Sequence, residues 1–99
     1  MPANDDKIEI KNVTSPDWRG RIDRAKYEAM RAALLAVLPT SSPGLTVAEA
    51  KDALLSKLPK ALFPGGEKAG WWLKAAQLDL EAKGVIARET CKPLRLHIL

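Results

Sequence analysis

The sequence predicts a mainly helical α+β domain: three helices, a C-terminal β-hairpin and a short N-terminal strand. Three observations carry this. Apolar residues recur at helical spacing in three separate stretches, Tyr27–Leu38, Val47–Leu58 and Ala69–Leu80. Thr46-Val47-Ala48-Glu49 has the spacing of a capping box, the local signature of a helix start. The last fifteen residues hold two alternating runs, Val85–Glu89 and Leu94–Ile98, separated by the turn sequence Thr90-Cys91-Lys92-Pro93.

The elements follow in order. Residues 7–13 alternate charged and β-branched side chains, with Ile8 and Ile10 on one face, as a half-buried strand requires. Residues 1–6 precede it with no pattern and are expected to be flexible. Thr14-Ser15-Pro16-Asp17 makes a turn, and Trp18 in the connector is expected to fold back over the core. A first helix starts at Asp23, a good N-cap type, and runs to Leu38, where Pro39 stops it. Its stripe is Tyr27, Met30, Leu34, Val37 and Leu38, and its alanines add helix propensity. Leu45 is placed to bridge briefly to another strand. The second helix turns Val47, Ala50, Leu54, Leu55 and Leu58 inward. The third spans Glu67 to Lys83, with Ala69, Trp72, Leu73, Ala76 and Leu80 toward the core. Gly84 follows where a left-handed residue is wanted.

Composition narrows the function. Ninety-nine residues and 46% apolar content fit one soluble domain with one core. No apolar run has the ~18–20 residues of a membrane span, and the N-terminus lacks a signal pattern, so no membrane partner is expected. A lone Cys91 excludes an intrachain disulfide and makes a reducing cytoplasm the expected location. With one His and one Cys, neither a metal site nor a cofactor is called for. The net charge is +4. The excess gathers in a basic N-terminal segment (Arg19, Arg21, Arg24, Lys26 and Arg31 against Asp17, Asp23 and Glu28) and at the C-terminal end.

The passage Leu80-Glu81-Ala82-Lys83-Gly84-Val85-Ile86-Ala87-Arg88 resembles the end of the recognition helix and the first wing strand of winged helix-turn-helix domains. The element order fits the same shape, with the terminal hairpin as the wing. Tyr27–Arg31, Leu62–Gly66, Lys68–Trp72 and Lys92–Arg95 together resemble a family of small uncharacterised bacterial proteins, over most of the chain from Val13 to His97. That second resemblance implies a bacterial setting and the winged-helix shape, with no activity and no site residues.

A winged helix that binds duplex DNA lays its third helix in the major groove and sets its wing on phosphates. The candidates here are Lys68, Lys74 and Gln77 on the helix, and Arg88, Lys92 and Arg95 on the hairpin, with the basic N-terminal segment adding phosphate contacts. Each is equally readable as a solvated surface position. The same helix carries a second apolar stripe opposite the first: Trp71, Ala75, Leu78 and Ala82. A helix apolar on two sides is usually buried on two sides. Covering Trp71 and Leu78 is worth roughly 1.5–3 kcal/mol each. Either the N-terminal strand and Trp18 fold over that stripe, or a second copy of the chain in a homodimer or another protein covers it, with Trp18, Trp71, Ala75, Leu78 and Ala82 as the interface candidates. Two readings stay open, a DNA-binding regulator and a protein-interaction module.

Catalytic chemistry has little to work with. Phe63-Pro64-Gly65-Gly66-Glu67-Lys68 is a Gly-rich turn before a helix, but it lacks the ending of a nucleotide-binding loop; simple loop closure is the ordinary reading. His97 lies between Leu96 and Ile98 as a packed strand histidine. Cys91 beside Lys92 has no base or oxyanion site around it. Asp79 and Glu81, two apart on a helix, do not face each other as an acid–base pair would. No enzyme is predicted.

Overall fold

The computed structural model describes residues 7–15, 17–90 and 92–99; the expectations for residues 1–6, Pro16 and Cys91 lie outside it. The described residues form an α+β structure with three α-helices and two small antiparallel sheets.

Strand β1 (Lys7–Ile10) does not stand alone. It pairs with β2 (Gly20–Asp23), with Ile8 opposite Ile22 and Ile10 opposite Gly20. The second strand is a correction to the sequence reading: Gly20-Arg21-Ile22-Asp23 offers one apolar residue in four, too little for a periodic signal. Asp23 closes β2 and also caps α1 (Arg24–Val37), its side chain accepting from the Lys26 N–H at 2.9 Å. One residue thus joins hairpin to helix.

Tyr27, Met30, Ala33 and Leu34 of α1 are buried, as is Leu38 just past its end. Strand β3 (Leu45–Thr46) supplies the bridge expected at Leu45, pairing Leu45 with Leu96. Both bonds of the capping box then form at the start of α2 (Val47–Leu54), Glu49 N–H to Thr46 Oγ1 at 3.1 Å and Thr46 N–H to Glu49 Oε1 at 2.9 Å. The Thr46 N–H, with the Thr46 hydroxyl and Arg95 adding to it, holds the Glu49 carboxyl below the usual range. Beyond Leu54 the chain tightens into a 3₁₀ turn over Leu55–Lys57, which changes the angular phase. Leu58 stays buried while Leu55, expected inside, is 39% exposed.

Helix α3 (Ala69–Ala82) starts two residues later than Glu67 because Lys68 takes a left-handed conformation, φ 59°, immediately before it. Its C-terminus closes as a Schellman motif: Gly84 at φ 75° donates to the Glu81 carbonyl, and Val85 to the Leu80 carbonyl at 2.9 Å. The chain enters β4 (Ile86–Glu89), which pairs with β5 (Arg95–Ile98), and β3 lies on the other side of β5. The core fills the space between the helices and this sheet, with Met30, Leu34, Leu54, Leu73, Leu80, Ile86 and Leu96 almost fully buried.

Candidate functional site

The second apolar stripe of α3 and the N-terminal hairpin meet across a groove of about 350 Å³. Its floor is Ile10, Ile22, Ala75 and Leu78. Two indoles wall it. Trp71 is 58% exposed and Trp18 is 45% exposed, so Trp18 stands at the groove and not, as expected, over the main core. Gly20 explains its place: a Cβ there would lie 2.4 Å from the Trp18 ring, so the indole rests where a side chain would be. Trp71 leans on Trp72, centroids 5.0 Å apart and edge-on. Trp72 is itself held by an edge contact with Phe63 and by Lys26, whose ammonium sits 5.8 Å from its ring centre.

The groove's end is fixed by a buried carboxylate. Asp79, fully buried, accepts from the Lys11 backbone N–H at 2.7 Å and from the Tyr27 hydroxyl, and pairs with Lys83 Nζ at 2.9 Å. The Val13 N–H donates to the Leu78 carbonyl at 3.3 Å. Two backbone amides of the connector are therefore clipped to successive residues of α3, and the hairpin is held beside the helix. Burial, reinforced by the Asp79 carboxylate, pushes the Tyr27 phenol well above its usual value near 10. The sequence holds a signal for this role of Asp79: it lies three residues from Ala76 and seven from Trp72, on the core stripe.

Among the described residues the groove's charge has one sign. Lys11, Arg21 and Lys74 line it, no carboxylate does, and none of the three has an acidic partner among the described residues. Gly70, Lys74 and Leu78 also line a second hollow of about 390 Å³, bounded by Val47, Arg88 and Leu94, so the two depressions meet along one edge of α3. Gly70 keeps that edge low. A Cβ there would meet the end of the Lys51 side chain, Nζ at 3.5 Å and Cε at 4.0 Å, which is ordinary contact. Gly70→Ala is expected to leave the fold intact and to raise stability by about 0.5 kcal/mol, readable as a higher melting temperature, while narrowing the trough.

The residues proposed for DNA contact separate under this geometry. Gln77, expected on the outer face, is 5% exposed and donates to Glu81 Oε2 at 2.9 Å. Arg88 forks onto the nearly buried Glu81 carboxylate, with Nη2 at 3.0 Å from Oε2. Arg95 donates to the Gly44 carbonyl at 2.9 Å and lies 3.6 Å from Glu49. Gln77 is thus turned into the fold, and the two part-exposed arginines are engaged by the protein's own acceptors. Lys68, Lys74 and Lys92 are exposed. Of the interface candidates, Trp18, Trp71, Ala75 and Leu78 converge on the groove, and Ala82 lies beyond its end, in a shallow hollow with Lys11 and Val13.

His97 Nδ1 is buried without a hydrogen bond, 3.7 Å from Glu89. Among the described residues no three potential metal ligands gather, and no helix is long and apolar enough to cross a membrane. The molecule is thus a small α+β protein with a tryptophan-walled, basic-rimmed groove. Residues 7–96 match the model of DUF6958, a family of unknown function, and the chain belongs to that family. No curated protein and no solved structure matches it.

Proposed function

We propose that the chain is a non-enzymatic, winged-helix-like interaction module that docks a protein partner along α3, and that it does not read DNA through this helix. The observation that carries the reading is the groove itself: the face of α3 that would enter a major groove is apolar, walled by Trp18 and Trp71 and flanked by the N-terminal hairpin. The winged-helix reading is supported by a Schellman-capped third helix leading into the β4–β5 hairpin, with β3 added to the same sheet. Base reading needs long polar side chains on the outer face. Here the one amide on α3 is turned inward and both wing arginines are engaged with the protein's own acceptors.

Two measurements on the full chain test this. Titration with randomised duplex DNA at about 50 and 200 mM salt is expected to show no binding that weakens steeply with salt; tight, steeply salt-dependent retention overturns the reading. Selection of displayed random peptides against the chain is expected to enrich binders that are lost on Trp71→Ala. Because Trp71 is more than half exposed, that variant should melt close to the parent. Failure to enrich any Trp71-dependent binder also overturns the reading.

A further inference from the structure

We infer that the groove takes an acidic polypeptide segment, which inserts a large apolar side chain between Trp18 and Trp71 and sets its carboxylates against Lys11, Arg21 and Lys74. The inference rests on the interaction-module reading above and adds the chemistry of the partner.

Charge complementarity selects the occupant. The apolar floor rewards an aliphatic or aromatic side chain, and the three cations reward carboxylates beside it. A second copy bound groove to groove about a two-fold axis would bring Lys11, Arg21 and Lys74 against the same surface of its mate, where like charges repel. Duplex DNA satisfies the cations but leaves Ile22, Leu78 and the two indoles facing a polar backbone. A lipid surface is flat, whereas this site is concave and takes an inserted group. A second hollow lies across the row of Gly70, Lys74 and Leu78, and Gly70 puts no side chain between the two, so an extended segment that crosses the row there touches both.

The test is display selection of random peptides against the whole protein and against a double variant, Arg21→Glu with Lys74→Glu. Both positions are exposed, so the variant is expected to fold, checked by its melting curve. The wild-type protein should enrich Asp or Glu around Trp, Phe or Leu, and the double variant should enrich Lys or Arg around the same apolar residues. A synthetic peptide from the wild-type selection should bind the double variant at least roughly tenfold more weakly, with the loss shrinking at high salt. Trp71-dependent peptides without acidic enrichment, or an affinity indifferent to the charge reversal, overturn the inference and leave the interaction module standing. No Trp71-dependent peptide at all removes that module as well. Binding to phosphatidylserine vesicles that the peptide displaces assigns the groove to a membrane surface and overturns both.

Discussion

Replacing Asp79 with alanine is expected to lower the stability of the chain by about 3–5 kcal/mol, because it takes the acceptor from two hydrogen-bond donors, at about 1–3 kcal/mol each, and removes the fully buried member of an ion pair whose lysine is part-exposed. The carboxylate answers three donors from three parts of the chain, the Lys11 N–H, the Tyr27 hydroxyl and the Lys83 ammonium. For a domain of this size a loss of that order displaces the thermal midpoint by roughly 15–30 °C. Calorimetry or a circular-dichroism melt decides it. A shift of only a few degrees would show that water replaces the carboxylate at little cost. The same network sets a pH dependence. Tyr27 is the only tyrosine, and its phenol is held protonated in the folded chain above the value near 10 at which the unfolded chain releases it. The folded state then binds more protons than the unfolded one, so this contribution is complete below about pH 10 and is lost as pH rises beyond it. The expected signature is a tyrosinate absorbance that stays absent past pH 10 and appears together with unfolding. Smooth titration at 10 with the fold intact would contradict the network.

Gly44→Ala is expected to cost roughly 3 kcal/mol or more, through a contact that no side-chain adjustment relieves. Gly44 has φ 87°, and a Cβ there would fall 1.9 Å from the Leu96 carbonyl oxygen and 2.5 Å from its carbon. The obstacle is backbone of β5, so β3 must part from the sheet to make room, and the Arg95 bond to the Gly44 carbonyl goes with it. Gly84→Ala is the control. Its φ is 75°, but nothing lies within 4 Å of the added carbon, so only the backbone penalty of about 1–2 kcal/mol applies. Paired denaturant titrations measure the difference. Equal losses at the two positions would mean that φ alone accounts for Gly44.

What the sequence made legible was what local chemistry encodes. The Asp23 cap, the Thr46–Glu49 box and the Gly84 terminus each depend on residues within five positions of one another, and each formed where expected. Strand β2 was hidden because its stability comes from pairing across to β1 and from Ile22 alone facing inward, neither of which is a periodic signal. The candidate site was half legible. Winding α3 at its own period exposed the stripe of Trp71, Ala75 and Leu78, but the opposing wall of Ile10, Trp18 and Ile22 comes from a hairpin packed there by Asp79, 68 residues from Lys11. Gln77 misled for a related reason: a lone amide beside an apolar stripe looks solvent-facing until Glu81, one turn on, provides an inward partner.

The double clip of Lys11 and Val13 onto α3 bears on kinetics. A trough whose two sides are tied by hydrogen bonds needs no opening step and spends little ordering entropy when it is filled. Under the docking proposed above, encounter with the acidic segment is expected to be fast, second-order and concentration-linear, without the plateau that marks a slow isomerisation. Loosening the clip, as Asp79→Ala would in any surviving folded fraction, should show first as slower capture and only then as faster escape.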